Sequence, residues 1–367
     1  MSPELSGLGD VTFVESLGLR RPELRARDIK RMLVRLLGRP QQNMRRDHPA
    51  KMRLISPKIV PIHSGLWKKV NGPLLRRQLD RWVKSEEPRV LWTYTPVTYD
   101  MELLADATVY HCVDLLGEFP GIDRQAIDEG ERLLAERGVV AIASSNVVAD
   151  HLQRQGFETV HLWPNVADVT TIIDSAGEIV GSNRAGAVFA GNFTDKKVDF
   201  SILTSMIDSG IQLHLAGPLS EGGGDTNAIM NEFIARGAIY HGVLSLEDLS
   251  NLMGECRVGL IPYVLNSYTM GVSPLKTYEY LAAGLGVVST AVPGVASVPG
   301  DVEVELSNQC FVESVRTLHD SFTYDRVLER RRVARLHGWE ERGSNARVLV
   351  EGLLSSSARD AAQGIQR

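Results

Sequence analysis

The sequence predicts an α/β protein with two doubly wound, Rossmann-like domains and a final helix that returns to the first domain. From about Asp10 onward, short β-branched runs alternate with longer helical patterns, and this alternation restarts near the middle of the chain. The length of 367 residues also suits two domains. We therefore assign residues 1–178 and 179–338 to the two domains and residues 339–367 to the returning helix.

Six strands and at least three helices are predicted in the first half. The strands are Val11–Ser16, Leu54–Val60, Val90–Tyr94, Thr108–Val113, Val139–Ala143 and Thr159–Leu162. The helices are Leu74–Lys84, Asp123–Arg137 and Val147–Gln155. A doubly wound domain normally opens with a strand, whereas this chain opens with the helix-like stretch Pro3–Leu8. We therefore expect the first βα unit of the first domain to be missing.

The second half repeats the alternation after a nonperiodic linker, Ala176–Ala185. Its predicted strands are Ala187–Ala190, Gln212–Ala216, Ala238–Tyr240, Val258–Ile261, Val287–Thr290 and Val302–Glu305. Its predicted helices are Asp199–Ser209, Ala228–Arg236, Leu246–Cys256, Pro274–Ala283 and Glu313–Ser321. Two further helices, with Trp339 at the break between them, are predicted for the tail from Tyr324 to about Leu354.

The composition is that of an ordinary globular protein, with 43% hydrophobic and 23% charged residues, which excludes collagen-like, disordered and disulfide-stapled classes. Neither an apolar run of spanning length nor a secretion signal is visible, so we expect a cytoplasmic protein. The three cysteines, Cys112, Cys256 and Cys310, are far apart in the sequence. This spacing predicts buried free thiols in a reducing compartment rather than a disulfide or a zinc site.

The formal net charge of −5 conceals a strong asymmetry along the chain. The stretch Arg20–Arg77 holds seventeen basic and three acidic residues, which leaves a net charge of −19 for the rest. Within it, Arg27–Arg39 has the pattern of a basic amphipathic helix, which favours an anionic membrane surface as partner. The basic residues that we assign to this membrane or acceptor side are Lys30, Arg31, Arg35 and Arg39. An ordinary surface helix is the alternative, and no recognition module supports nucleic-acid binding.

The densest motif is Ile261–Gly284, in which a strand, a polar loop containing Tyr263 and a helix follow one another. Ser273 is expected to cap this helix ahead of a proline, and a helix N-terminus after a parallel strand suits a phosphate. Lys276 adds a positive charge for a diphosphate. Glu279, one turn later, could accept hydrogen bonds from ribose hydroxyls. The alternative is a capped helix with an ion pair between the two side chains.

Three further loops are expected at the same edge of the second sheet. Gly191 and Asn192 follow its first strand and allow the backbone to approach a ligand closely. Gly217 and Tyr240 end the next two strands and could shape a base and sugar pocket, although each could equally be an ordinary strand terminus.

In the first half, a predicted strand delivers Asp114 to its carboxyl end. A carboxylate facing an interdomain cleft there could act as a general base for an attacking hydroxyl, and a loop-capping aspartate is the alternative. His111, three residues earlier, could face this cleft or the core, and we favour the core.

These segments together resemble bacterial glycosyltransferases of the GT-B fold, in the branch that builds exopolysaccharides and teichuronic-acid-like polymers. The matching pieces are VYHCVDLLGEFPG, AIASSNVVADHLQRQG, WPNVAD, FAGN, LAGP, GLIPY and SPLKTYEYLAAGLGVVST, and they span about residues 10–350. The resemblance implies a nucleotide-diphosphate sugar on the second domain and the acceptor on the first. It assigns the diphosphate to Lys276, the ribose to Glu279, the phosphate–sugar side to Gly191–Asn192 and the general base to Asp114.

The resemblance implies sugar transfer to a hydroxyl of a lipid-linked or polysaccharide acceptor. The charge of Arg20–Arg77 predicts a location at the inner face of the cell membrane. Because Lys276 and the helix N-terminus would stabilise the departing diphosphate in place of a metal, we expect neither a metal nor another cofactor. Retaining relatives commonly carry two glutamates eight positions apart, of which Glu279 matches the second whereas Gly271 stands at the first. We therefore favour inversion. The alternative function is that of an inactive GT-B binding protein in a surface-polysaccharide complex. A nicotinamide dehydrogenase is not favoured, because the first unit lacks a GxGxxG turn.

Overall fold

The structure, a computed structural model, describes residues 9–19, 52–63, 65–119, 121–177, 184–219, 226–272, 275–296 and 298–364. It consists of two compact units. The first contains the described residues up to Ser144, together with Val148–Trp163 and the chain from Arg342 onward. The second contains Ser145–Val147 and Pro164–Glu341.

The strands of the first unit form two parallel sheets. In the smaller one, β1 (Val11–Val14) pairs with β2 (Met52–Ile55). The larger one has four strands in sequence order, β3 (Val90–Thr93), β4 (Ala107–Cys112), β5 (Val140–Ala143) and β6 (Val160–Leu162). The helices are α1 (Leu66–Gln78), α2 (Asp80–Val83), α3 (Arg124–Glu136) and α4 (Asn146–Arg154). The apolar residues of the two central strands, β4 and β5, are largely buried, as expected for a covered parallel sheet.

The second unit is built on one six-stranded parallel sheet. Its strands are β7 (Ala187–Ala190), β8 (Leu213–Ala216), β9 (Ile239–Tyr240), β10 (Val258–Ile261), β11 (Gly286–Thr290) and β12 (Val302–Glu305). They lie in the order β12-β11-β10-β7-β8-β9, the doubly wound order of a dinucleotide-binding fold. The direction of winding reverses between β7 and β10. In open α/β sheets, ligands bind outside the carboxyl ends of the strands at such a switch point.

After α4, the described part of the chain contains ten further helices. They are α5 (Val169–Ser175), α6 (Phe200–Asp208), α7 (Asn227–Ala235), α8 (Leu246–Glu255), α9 (Ser267–Met270), α10 (Leu275–Ala283), α11 (Pro293–Ala296), α12 (Asn308–Asp320), α13 (Tyr324–Arg335) and α14 (Trp339–Gly364). The predicted domain boundary after residue 178 assigns α5 to the first domain. In the structure α5 packs in the second unit against α8 and α10, and a Cβ atom on Gly254 of α8 would lie 2.5 Å from the Ala176 carbonyl oxygen.

The tail forms the two predicted helices, and the second of them begins at Trp339. From Arg342 onward α14 belongs to the first unit, where the Arg342 guanidinium lies 5.1 Å from the centroid of the Trp163 ring. Ala346 and Val350, one turn apart on α14, are buried. The predicted return of the final helix is thereby confirmed. No helix in the described part of the chain has the length and apolarity needed to cross a bilayer.

Eleven of the twelve predicted strands are confirmed, whereas the predicted strand Leu54–Val60 shares only Leu54 and Ile55 with β2. The predicted helix Leu74–Lys84 is helical over most of its length, but its start is wrong and it is not one continuous helix. The chain is already helical from Leu66, continues through Pro73 and starts a separate short helix at Asp80. Proline is favoured in the first turn of a helix, whereas Pro73 lies in the interior of α1. The buried Asn71 side chain instead holds the earlier turns, since it bonds both the N–H and the carbonyl of Val60.

The prediction of buried thiols is correct for two of the three cysteines. All three are free, and burial raises the pKa values of Cys112 and Cys256 to about 12. Cys310 is exposed. The buried face of α12 consists of Phe311, Val315 and Leu318, and Cys310 lies on the solvent-facing side of the same helix.

Candidate functional site

The loops after β7 and β8 meet at the carboxyl edge of the second unit. The Gly191 N–H donates to the Ala216 carbonyl at 2.9 Å. Gly217 has a φ of +132°, and a Cβ atom there would lie 2.0 Å from the Gly191 carbonyl oxygen. This approach leaves no space for a side chain, so a glycine is required at Gly217. The structure therefore brings two of the predicted binding residues into direct backbone contact.

Tyr240, at the end of β9, fixes the outer side of the same edge. Its hydroxyl donates to the Gly217 carbonyl at 2.7 Å, and the Gly217 N–H donates to the Gly242 carbonyl at 2.7 Å. Burial raises the pKa of the Tyr240 phenol above its usual range. Asn192 is half-buried beside these loops, so the predicted residues after β7, β8 and β9 lie along one edge.

Tyr263 lies just beyond β10, with a buried side chain. The Thr290 hydroxyl donates to the Tyr263 carbonyl at 2.7 Å, and the Lys197 ammonium lies 4.9 Å from the centroid of the Tyr263 ring. The Val264 N–H donates to the Lys197 carbonyl at 3.0 Å. This contact joins the segment after β7 to the segment after β10, so the two strands of the switch point are linked beyond their ends. Lys197 is a cation at this edge that the sequence interpretation did not select.

Lys276 and Glu279 are paired in the first half of α10. The Lys276 ammonium lies 2.6 Å from a Glu279 carboxylate oxygen. Glu279 is buried, whereas Lys276 is half-buried. The structure thus contains the ion pair of the alternative interpretation. An ammonium group has three N–H donors, so one bond to Glu279 leaves two donors for an anionic ligand. The ion pair and a diphosphate site are therefore compatible.

Tyr280 fixes α10 to the switch point, and the sequence interpretation missed it. Its fully buried hydroxyl accepts a bond from the Ala190 N–H at 3.0 Å and donates to the Leu260 carbonyl at 3.3 Å. The side chain thus joins the helix to the ends of β7 and β10. A Cβ atom on Gly259 would lie 2.2 Å from the Tyr280 ring. This glycine within an otherwise apolar strand is the signal that could have indicated a large partner.

Five predicted site residues lie outside the described part of the chain. They are Lys30, Arg31, Arg35, Arg39 and Ser273. The assignments of these residues to a membrane or acceptor side and to a helix cap remain predictions.

Asp114 lies in the loop directly after β4 of the first unit and is half-buried. The Cys112 thiol donates to the Asp114 carbonyl at 3.3 Å. The Ser144 hydroxyl donates to the neighbouring Val113 carbonyl at 2.6 Å, which ties the loop to the end of β5. The predicted position of Asp114 at the carboxyl end of a strand is confirmed, whereas its role as a base remains a prediction.

His111 is buried, as the core interpretation predicted. Tyr94 stacks on its ring at 5.1 Å, and the edge-on rings of Trp92 and Trp163 lie 5.9 and 6.4 Å away. Among the described residues, neither ring nitrogen of His111 has a hydrogen-bond partner. Burial, aided by the positive charge of Arg342, lowers the pKa of His111 to about 3. The imidazole is therefore neutral at physiological pH.

Comparisons with known proteins agree with this architecture. No protein-family model matches the chain. A Bacillus subtilis (strain 168) protein with the provisional name teichuronic acid biosynthesis glycosyltransferase TuaH is 25% identical over 269 residues. The match covers 68% of this chain and 65% of the relative, so the chain spans just under two thirds of that protein's length.

Solved structures share the fold at low sequence identity. Sucrose-phosphate synthase from Thermosynechococcus elongatus has a TM-score of 0.68 at 15% identity, covering 95% of this chain and 99% of its own. The α,α-trehalose 6-phosphate synthase from Burkholderia multivorans has a TM-score of 0.56 at 12% identity, covering 80% and 77%. A pneumococcal O-GlcNAc transferase, GtfA, has a TM-score of 0.55 at 14% identity, covering 76% and 60%. The chain has the GT-B fold and resembles bacterial GT-B glycosyltransferases.

Proposed function

We propose that this chain is a glycosyltransferase that moves a sugar from a nucleotide-diphosphate donor to a hydroxyl of a lipid-linked or polysaccharide acceptor. One observation carries the proposal: Tyr280 fixes α10, with its Lys276–Glu279 pair, to the switch point between β7 and β10. The name of the Bacillus relative supports a surface polysaccharide as the product class. We place the enzyme in the cytoplasm, peripherally at the inner face of the membrane.

The donor would bind along the edge built by the second unit. Lys276 would contact the diphosphate with the N–H donors that its bond to Glu279 leaves. The Glu279 carboxylate would accept bonds from the ribose hydroxyls. The side-chain-free backbone at Gly191 and Gly217 lets the phosphate and the sugar approach closely. Lys276 and the N-terminus of α10 would stabilise the departing diphosphate, which is the task that a metal performs in other transferases.

The acceptor would react beside Asp114. The acceptor oxygen attacks the anomeric carbon of the donor sugar while the Asp114 carboxylate takes the hydroxyl proton. The bond from the anomeric carbon to the diphosphate oxygen breaks, and the electron pair leaves with the diphosphate. A single displacement of this kind inverts the anomeric configuration. Inversion is also favoured by Gly271, which stands where retaining relatives carry a glutamate and ends the short helix α9.

The donor site is tested by calorimetry with a panel of nucleoside diphosphates and nucleotide sugars. We expect one nucleotide to bind, and we expect Lys276→Ala and Glu279→Ala each to weaken binding at least about tenfold. Unchanged affinity in both variants would refute the site assignment. The general base is tested separately, because Asp114→Asn should bind the donor normally and transfer sugar at least about 100-fold more slowly.

A non-catalytic assembly protein is the second candidate function, and Gly271 is the observation that favours it. Such a protein would bind the donor with the same dependence on Lys276 but would transfer nothing to any member of a broad acceptor panel. Transfer to one acceptor, lost in Asp114→Asn, would exclude this alternative.

A further inference from the structure

Helix α1 presents an apolar stripe to solvent. Leu66 is 74% exposed, Trp67 43%, Val70 39% and Leu74 39%. With one residue per 100° of turn, these four side chains lie within an arc of about 100° on one side of the helix. Single exposed apolar residues are common on protein surfaces, but four on one helix face form a continuous patch, and such patches mark interaction sites.

The opposite side of α1 holds the helix firmly to the first unit. Asn71, Gly72 and Leu75 are buried there. The Asn71 amide donates to the Val60 carbonyl at 2.8 Å and accepts from the Val60 N–H at 2.9 Å, while Leu75 packs in the core with Ile59. The exposed stripe is therefore a second apolar face on α1, because the core-facing side already packs and forms hydrogen bonds within the first unit.

Positive charge accompanies the stripe. Lys69 and Arg76 lie along one of its flanks, and Arg77, in the last turn, lies within the arc of the stripe at its C-terminal end. All three side chains are exposed, and among the described residues none of them is in an ion pair. The sequence of α1, LWKKVNGPLLRRQ, contains no acidic residue. An apolar stripe with uncompensated cations is complementary to a surface that is apolar inside and anionic outside.

We infer that this face of α1 docks in the plane of an anionic lipid bilayer. Leu66, Val70 and Leu74 would enter the acyl boundary and Trp67 would lie at headgroup level, while the cations would contact lipid phosphates. A protein partner fits less well, because a stable protein interface buries about 800 Å² on each side, more than one short helix face offers. The inference rests on the peripheral location in the proposed function, for which it names the contact surface. It concerns a surface distinct from the donor edge and does not depend on sugar transfer.

The test is sedimentation of the full chain with vesicles of phosphatidylcholine, with and without phosphatidylglycerol. We expect binding to the anionic vesicles at low salt, little binding to the neutral ones, and release at high salt. The variant Lys69→Ser with Arg76→Ser should bind about 30-fold more weakly, as expected from two lost cations. The variant Trp67→Ser with Leu74→Ser should bind at least about tenfold more weakly.

Leu306→Ser is the matched control, because Leu306 is an 88% exposed apolar residue of the second unit and its loss should leave vesicle binding unchanged. Thermal unfolding and nucleotide calorimetry on each variant verify that the fold and the donor site are intact. The inference is overturned if the wild type fails to bind anionic vesicles. It is equally overturned if both α1 variants bind like the wild type, as they would if another part of the chain carried the membrane contact.

Discussion

The Lys276 ammonium lies 2.6 Å from a Glu279 carboxylate oxygen, one turn further along α10. Glu279 is buried, so its carboxylate charge depends on Lys276 for compensation, unlike the charges of a fully exposed ion pair. The pair therefore stabilises α10, and the same two side chains can also bind a diphosphate and a ribose.

The first prediction separates these two roles. Lys276→Ala should lower the free energy of unfolding by about 1–3 kcal/mol, because the buried Glu279 carboxylate loses its partner, and should also weaken nucleoside diphosphate binding at least about tenfold. Lys84→Ala is the matched control, because Lys84 forms an exposed pair with Asp80 at 2.9 Å in the first unit. Denaturant unfolding and calorimetry measure both quantities. Loss of stability without loss of affinity would assign the pair to structure alone.

The second prediction concerns the contact between Gly217 and Gly191. Gly217→Ala places a Cβ atom 2.0 Å from a carbonyl oxygen at a φ of +132°, so the two loops must separate. We expect a loss of about 2–4 kcal/mol in the free energy of unfolding, together with weaker donor binding. Gly237→Ala has a similar φ of +101° but open space around the new atom. This control should cost only about 1 kcal/mol, from backbone strain. Equal costs in the two variants would contradict the close-contact argument.

The third prediction tests the Tyr280 hydroxyl. Tyr280→Phe leaves the buried N–H of Ala190 without its acceptor, which should cost about 1–3 kcal/mol of stability. Because this bond fixes α10 to β7, donor affinity should fall as well. Tyr110→Phe removes another buried hydroxyl, which donates to Glu131 at 2.9 Å in the first unit. That variant should lose comparable stability and keep normal donor affinity, as measured by the same calorimetry. Normal affinity in Tyr280→Phe would show that the hydroxyl does not position the site.

The features that the sequence predicted most accurately are those that local residue patterns determine. Apolar runs bounded by turn residues located strands such as β7 and β10 to the residue, because a covered parallel strand must be apolar throughout. The edge residues Gly191 and Gly217 followed from the rule that parallel strands end at one edge. Tyr280 could not be found in this way, since its role depends on a strand twenty residues away that brings Leu260 beside it.

The failures have a related cause. Helix α1 begins at Leu66 rather than at the predicted Leu74, because the long-range bonds from Asn71 to Val60 hold the turns before Pro73. The exposed stripe of α1 was also missed, because an apolar periodicity does not reveal which face of a helix the rest of the protein covers. The sequence did indicate positive charge in this region, and the structure adds the apolar face that accompanies it.

The last prediction concerns pH. The pKa of His111 is lowered to about 3 in the folded chain, whereas an unfolded histidine titrates near 6.5. Between these values the unfolded chain binds a proton that the folded chain does not, so stability falls as the pH decreases below about 6.5 and is independent of this group above it.

His111→Phe keeps a ring against Tyr94 and removes the two unpartnered nitrogens. At pH 7.5 the variant should be more stable than the wild type by about 1–2 kcal/mol. At pH 5 its advantage should grow by about 2 kcal/mol more. Denaturant unfolding at the two pH values measures this difference. An advantage that stays constant between them would mean that His111 gains its proton in the folded chain as readily as in the unfolded one.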